Sequence, residues 1–123
     1  MQKIDGTTIK LNRGDVLNLS LSIKMANNNS YIFQVGDKIT FSIYEKKKMN
    51  EQAVLIKEVE VNETSESVSI DITSEETKLG DLINKPVEYW YEIELNEEYT
   101  VIGYDDDGAK KLMLYPEGSK ENE

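Results

Sequence analysis

The stretch Val87-Glu-Tyr-Trp-Tyr-Glu-Ile-Glu-Leu95 decides the fold class of this chain. Every second residue of it, starting from Val87, is aliphatic or a tyrosine, and three glutamates stand between them. Because successive side chains of a strand point to opposite faces of a sheet, the alternation predicts a strand with one buried and one polar face. Trp90 falls on the polar face, together with the glutamates.

Seven other segments are also predicted to be strands, most of them with the same period of two, at 7–11, 16–24, 38–45, 53–61, 67–72, 99–104 and 110–115. Asp105-Asp-Asp-Gly108 separates the last two segments and has the composition of a hairpin turn. About eight short strands divided by turn signals favour an antiparallel sandwich or barrel.

One segment has helical rather than strand character. Thr73-Ser-Glu-Glu76 has the form of a capping box, and Gly80 suits the end of a helix. We therefore predict one or two helical turns over residues 74–79. The predicted fold is all-β: an immunoglobulin-like antiparallel β-sandwich of about seven or eight strands over residues 1–116, followed by a polar tail at 117–123.

The composition removes most catalytic chemistry. The chain has 123 residues, with no cysteine and no histidine, so it has no thiolate nucleophile and lacks the commonest general base and metal ligand. Its net charge of −10 disfavours nucleic acid as a partner. No apolar run has the length of a membrane-spanning helix, and the first residues show no signal peptide. We expect a non-enzymatic protein without a cofactor.

Two short motifs have an ordinary structural interpretation. Arg13-Gly14-Asp15 is the tripeptide that integrins read, but Gly-Asp before a predicted strand is common turn chemistry, which we favour. Asp105, Asp106 and Asp107 carry oxygen ligands suited to calcium, yet their spacing differs from that of a helix-flanked calcium loop. A solvated hairpin tip is the favoured interpretation, and cation binding stays open.

The polar face of the 87–95 strand holds the best candidate for an interaction surface. Trp90 shares this face with Glu88, Glu92 and Glu94, and tryptophan is enriched in interfaces. Packing of Trp90 under a loop or against an edge strand is an equally good interpretation. The aromatic residues that we consider as further members of the surface are Tyr31, Phe33 and Tyr44. Carboxylates on such a face are also compatible with glycoside hydrolysis, although a solvated sheet face fits them better.

The only basic run is Lys46-Lys47-Lys48. It follows a predicted strand, where lysines protect a sheet edge from pairing with another chain. Against a net charge of −10 we do not expect it to bind phosphate.

The order of the motifs resembles the immunoglobulin-like N-terminal domain of phage baseplate upper proteins and related prophage tail proteins. The resemblance covers roughly residues 7–118. The motifs that carry it are Ile9-x-Leu11-x-Arg13-Gly14-Asp15, Val35-Gly36-Asp37, Lys38-Ile-Thr-Phe-Ser-Ile43, Val68-x-Ile70-x-Ile72-Thr73, Tyr89-x-Tyr91-Glu92-Ile93 and Thr100-Val-Ile102-Gly103. The family supplies no catalytic residues.

The resemblance implies a virion structural protein of a bacteriophage tail or baseplate. Its partners are then other tail proteins or further copies of the chain, and its place is the bacterial host cytoplasm during assembly and afterwards the virion. An alternative is a carbohydrate- or receptor-binding sandwich in which Trp90 and nearby tyrosines form a stacking platform. A third hypothesis is an enzyme that uses carboxylates alone.

Overall fold

The computed structural model describes residues 2–47 and 52–117, which contain nine strands and no helix. The strands are β1 (Gln2–Asp5), β2 (Thr8–Asn12), β3 (Leu17–Leu21), β4 (Lys38–Tyr44), β5 (Leu55–Glu60), β6 (Val68–Ile72), β7 (Val87–Leu95), β8 (Tyr99–Ile102) and β9 (Lys110–Tyr115). Each of the eight predicted strands is present, and β1 is an addition. The all-β prediction is confirmed.

The strands form two sheets. Seven strands make the larger sheet in the order β1-β2-β9-β7-β4-β5, with β8 also paired to β7, and β3 pairs with β6 in the smaller one. The neighbours β9, β7, β4 and β5 correspond to strands G, F, C and C′ of a variable-type immunoglobulin sandwich, and β3 and β6 to strands B and E. The predicted antiparallel arrangement is wrong for one pair, because β2 runs parallel to β9.

The core lies between the two sheets and is built from the apolar positions of the alternating strands. On β7 the burial alternates as the sequence predicts, with Tyr89, Tyr91, Ile93 and Leu95 all buried. The largest fully buried side chains come from five strands and one loop: Ile9, Leu11, Leu17, Phe33, Ile39, Phe41, Ile43, Ile70, Ile72, Leu112 and Leu114. The polar face of β7 therefore points away from the core.

Strand β1 was not predicted, because a fully exposed edge strand shows no alternation of apolar and polar residues. All four of its residues are exposed, so burial imposes no period of two on the sequence. The strand is held by antiparallel pairing with β2. The side-chain amide of Gln2 also donates to the carbonyl of Asn18 and accepts from its N–H, both at 2.9 Å. Gln2 thereby joins the edge of the larger sheet to β3 of the smaller one.

The predicted helix over residues 74–79 is reduced to a single turn. Thr77 N–H donates to the carbonyl of Thr73 at 3.1 Å, and no helix follows among the described residues. The capping box itself is present, since Glu76 N–H donates to Thr73 Oγ1 and Thr73 N–H donates to Glu76 Oε1. The turn ends before Gly80, whose φ of +62° then redirects the chain towards β7.

The predicted hairpin at 105–108 is wrong in one respect. The tight turn exists, because Asp105 and Gly108 exchange backbone hydrogen bonds. The strands that it joins do not pair with each other. Both β8 and β9 pair with β7, β8 along its C-terminal part and β9 along its N-terminal part. The turn therefore lies where the partner on this side of β7 changes from β8 to β9.

Candidate functional site

The outer face of the larger sheet carries a polar and aromatic surface, which we call the β4–β7 patch. The patch consists of Thr40, Ser42, Tyr44, Trp90, Glu92 and Glu94. Register places Tyr44 directly opposite Trp90, Ser42 opposite Glu92, and Thr40 opposite Glu94. The side chains of directly opposed residues start about 5 Å apart at Cβ, so each pair is in contact range.

A hydrogen bond ties the aromatic end of the patch to its acidic end. Tyr44 Oη donates to Glu92 Oε1 at 3.0 Å. Partial burial, followed by this bond to Glu92, raises the pKa of Tyr44 above its ordinary value. The hydroxyl therefore stays protonated at neutral pH and remains a donor to the carboxylate.

The surroundings of Glu94 disfavour its charged form. Burial, and then the negative charges of Glu92 and Glu97, raise its pKa above the usual range. It forms no ion pair with any described residue. A cation placed beside Glu94 would therefore gain a favourable interaction that the chain itself does not provide.

Two buried polar atoms of the patch lack a hydrogen-bond partner. They are Thr40 Oγ1 and Trp90 Nε1, and no other buried side-chain nitrogen or oxygen within residues 2–47 and 52–117 is without one. Thr40 is 8% exposed. An unsatisfied buried polar group costs about 1–3 kcal/mol, and native structures hold few of them. Both belong to residues whose positions alternate outward from the core on the larger sheet.

Ion pairs and one exposed apolar residue border the patch. On the β9 side Lys111 lies opposite Trp90 and pairs with Glu88 at 2.9 Å. On the β5 side Lys38 lies between Glu58 at 3.4 Å and Glu97 at 2.7 Å. Ile56 stands opposite Ser42 and is 57% exposed, a contribution that the sequence analysis missed. The border thus combines charge with an apolar contact.

The other two predicted surface aromatics lie elsewhere. Phe33 is completely buried, so its assignment to an interaction surface is wrong. Tyr31 packs edge-on against Phe33 with ring centroids 5.3 Å apart and donates its hydroxyl hydrogen to Asp37 at 2.7 Å. It lines a separate apolar groove of about 460 Å³ with Met25 and Tyr99 at one end of the sandwich. No interaction joins Tyr31 to the patch.

Arg13-Gly14-Asp15 is a structural element and is not displayed for recognition. Arg13 is 8% exposed, and its guanidinium donates to three backbone carbonyls of the turn after β6, those of Lys78, Leu79 and Gly80. It also forms an ion pair with Glu117, at 2.5 Å. Gly14 has a φ of +89°, and its N–H donates to Thr77 Oγ1. The turn interpretation is confirmed.

Glu117 contacts the sandwich although the sequence analysis placed it in the tail. Its side chain is 13% exposed, and the preceding segment is held as well, since Asn12 Nδ2 donates to the carbonyl of Pro116 at 2.7 Å. Residues 118–123 lie outside the described part of the chain.

The acidic turn at 105–107 is engaged within the fold. Asp105 Oδ1 accepts from Lys110 Nζ at 2.6 Å and from Asp107 N–H at 2.9 Å. These bonds, that to Lys110 first, lower the pKa of Asp105. Within the described ranges no group of three or more acidic, histidine or cysteine side chains is arranged to hold a metal ion.

Only two of the three lysines of the basic run lie among the described residues. Lys46 and Lys47 follow β4 and are exposed, whereas Lys48 lies outside the described residues. Lys46 and Lys47 stand at the loop that leads to the edge strand β5.

Comparison with family models, with curated proteins and with solved structures finds no match for this chain. Among residues 2–47 and 52–117, no segment forms a helix of the length and apolarity that a bilayer crossing requires.

Proposed function

We propose that this chain is a non-enzymatic structural component of a bacteriophage or prophage tail or baseplate, and that it binds other tail proteins or further copies of itself through the β4–β7 patch. The observation that carries the choice of surface is the pairing of an aromatic row, Tyr44 and Trp90, with unsatisfied buried polar atoms on the same face. The phage setting is supported by the ordered motifs in the sequence.

A rigid sheet face suits repeated assembly contacts. Trp90 stands on β7, which is hydrogen-bonded on both sides, to β4 and to β9. Side chains on such a strand lose little further conformational freedom when a partner docks, which reduces the entropic cost of binding. Interfaces are enriched in tryptophan and tyrosine, and their central contacts supply most of the affinity.

The test is the presence of the protein in particles. A bacterial strain that carries this gene is induced to release tails, and the chain is quantified in purified particles by mass spectrometry. We expect the Ile56→Arg variant, which places a bulky cation at the border of the patch, to be depleted at least about tenfold. Leu82→Arg is the matched control, because Leu82 is also exposed, at 73%, and lies outside the patch.

Two results would contradict this proposal. One is the absence of the wild-type chain from purified tails. The other is an equal loss for Ile56→Arg and Leu82→Arg when both proteins are folded. The first removes the phage setting, and the second removes the patch as the contact surface.

A carbohydrate- or receptor-binding module is the second candidate. It is favoured by the position of Trp90 beside Tyr44 and Glu92, which combines ring faces with a carboxylate acceptor for hydroxyl groups. A glycan array discriminates the two functions. A specific signal that Trp90→Ala abolishes, with the fold intact by circular dichroism, would support the carbohydrate-binding function.

A further inference from the structure

We propose that the β4–β7 patch binds an extended, arginine-bearing basic segment of a partner protein. This inference rests on the proposed function, since it specifies the chemistry of the partner at the same surface. It follows from the charge of the patch, from the aromatic row beside it and from the length of the patch along β7.

The charge of the surface selects a cationic partner. Thr40 on β4 lies between Glu94 on β7 and Glu58 on β5, so carboxylates flank it on both sides. Lys38 is the cation at this end, and it is shared between Glu58 and Glu97. Glu92 and Glu94 face no described lysine or arginine within ion-pair distance. The net charge of −10 attracts a basic segment from a distance. The carboxylates of the patch then give it local charge partners.

The aromatic row favours arginine over lysine. A guanidinium group stacks on the face of tryptophan or tyrosine and still donates hydrogen bonds in its own plane. Trp90 and Tyr44 lie opposite each other, and Glu92 follows Trp90 by two residues on the same face, about 7 Å along the strand. One arginine therefore reaches a ring and a carboxylate together, which the compact ammonium group of lysine does less well.

The length of the patch calls for a segment of chain. Thr40 is opposite Glu94, and Trp90 is four residues from Glu94 along β7, or about 13 Å. A single side chain does not span this distance. An extended peptide of about four residues does, so that its side chains reach the ring of Trp90 and the carboxylate of Glu94 together.

The direct test is a titration of the full chain with a defined peptide. The probe is acetyl-Gly-Arg-Gly-Arg-Gly-amide, and binding is followed by chemical-shift changes in ¹H–¹⁵N NMR spectra at low salt. We expect the largest changes at the Trp90 indole N–H and at the amides near Thr40. The affinity should fall as salt is raised, because exposed charge pairs are screened.

Substitutions locate the binding site. Glu94→Gln should weaken peptide binding about fivefold, because it removes the carboxylate that lacks a cation in the free chain. Trp90→Leu should weaken it by a similar factor, because an aliphatic side chain has no ring face for the guanidinium. Glu63→Gln is the matched control, since it makes the same charge change at an exposed loop residue and should leave the affinity unchanged.

Several results would overturn the inference: no binding of the arginine peptide at low salt, equal binding of acetyl-Gly-Lys-Gly-Lys-Gly-amide, in which lysine replaces both arginines, or equal weakening by Glu63→Gln and Glu94→Gln. A chemical-shift map centred on Lys46 and Lys47, with self-association at higher protein concentration, would instead indicate contact between copies. Failure of this inference can be distinguished from failure of the proposed function. If Ile56→Arg depletes the chain from tails while the arginine peptide does not bind, the patch remains the assembly surface and only the partner chemistry is wrong.

Discussion

Replacement of Arg13 by methionine tests whether the Arg13 side chain stabilises the contact between the end of β2 and the turn after β6. Arg13 donates to three carbonyls, and the shortest of these bonds is 2.7 Å, to Gly80. Its charge also neutralises Glu117, whose side chain is 13% exposed. Methionine has a comparable stem but no donor, so Arg13→Met leaves the carboxylate and the carbonyls without their cation. Removing one partner of a buried ion pair typically costs about 3–5 kcal/mol.

Urea unfolding at neutral pH measures this cost, followed by the fluorescence of Trp90, the only tryptophan of the chain. We expect Arg13→Met to lose about 3–5 kcal/mol of unfolding free energy. Lys10→Met, on the strand β2 that precedes Arg13, should lose less than about 1 kcal/mol, because Lys10 pairs with an exposed Asp5 at 3.7 Å.

A loss for Arg13→Met no larger than that of Lys10→Met would refute the reasoning, since it would mean that water replaces the guanidinium at little cost. A double-mutant cycle with Glu117→Gln isolates the ion pair from the carbonyl contacts. The coupling energy between Arg13 and Glu117 should be about 1–3 kcal/mol. A coupling near zero would assign the stabilisation by Arg13 to the carbonyls alone.

Two further predictions concern buried hydroxyl groups. Burial raises the pKa of Tyr91 to about 12, against roughly 10 in the unfolded chain. The protonated Tyr91 hydroxyl therefore contributes its full stabilisation below pH 10, and this contribution is lost as pH rises towards 12. Tyr91→Phe, which also removes a bond to the carbonyl of Thr7, should cost about 1 kcal/mol at neutral pH and show a weaker loss of stability between roughly pH 10 and pH 12 than the wild type; equal pH dependence would contradict this. Thr77→Val should cost about 1–3 kcal/mol in urea unfolding, because the buried Thr77 hydroxyl is the acceptor for Gly14 N–H, and the exposed Thr64→Val is the control that should stay within about 0.5 kcal/mol.

The sequence predicted the strands well because burial alone fixes their period. On β7 each alternate side chain from Tyr89 to Leu95 is buried, and burial alternates in the same way along β3. It failed for β1, whose four residues are all exposed. The capping box at Thr73 was also visible, since its two side chains are three residues apart. Only a single hydrogen-bonded turn follows it, and this turn ends before Gly80.

The candidate site was half visible. The alternation placed Trp90 and the glutamates of β7 on one outer face, and the structure confirms this arrangement. Tyr44 belongs beside Trp90, but Phe33 is buried and Tyr31 packs at the end of the sandwich. All three are aromatic residues in or near β-rich segments, and the sequence offered no feature to separate them.

By itself the sequence determined the all-β class, the positions of eight strands, and which side chains of β7 face the core. These properties depend on neighbours one or two residues apart, where the backbone period couples position to burial. Only the tertiary structure decided that β2 lies parallel to β9, that Arg13 is satisfied by carbonyls 65–67 residues away, and that Tyr44 stands opposite Trp90. Such pairings depend on sheet order and register, which are set by contacts between segments far apart in the chain. The alternation along a strand is the same whichever strand it pairs with, so it does not specify the partner.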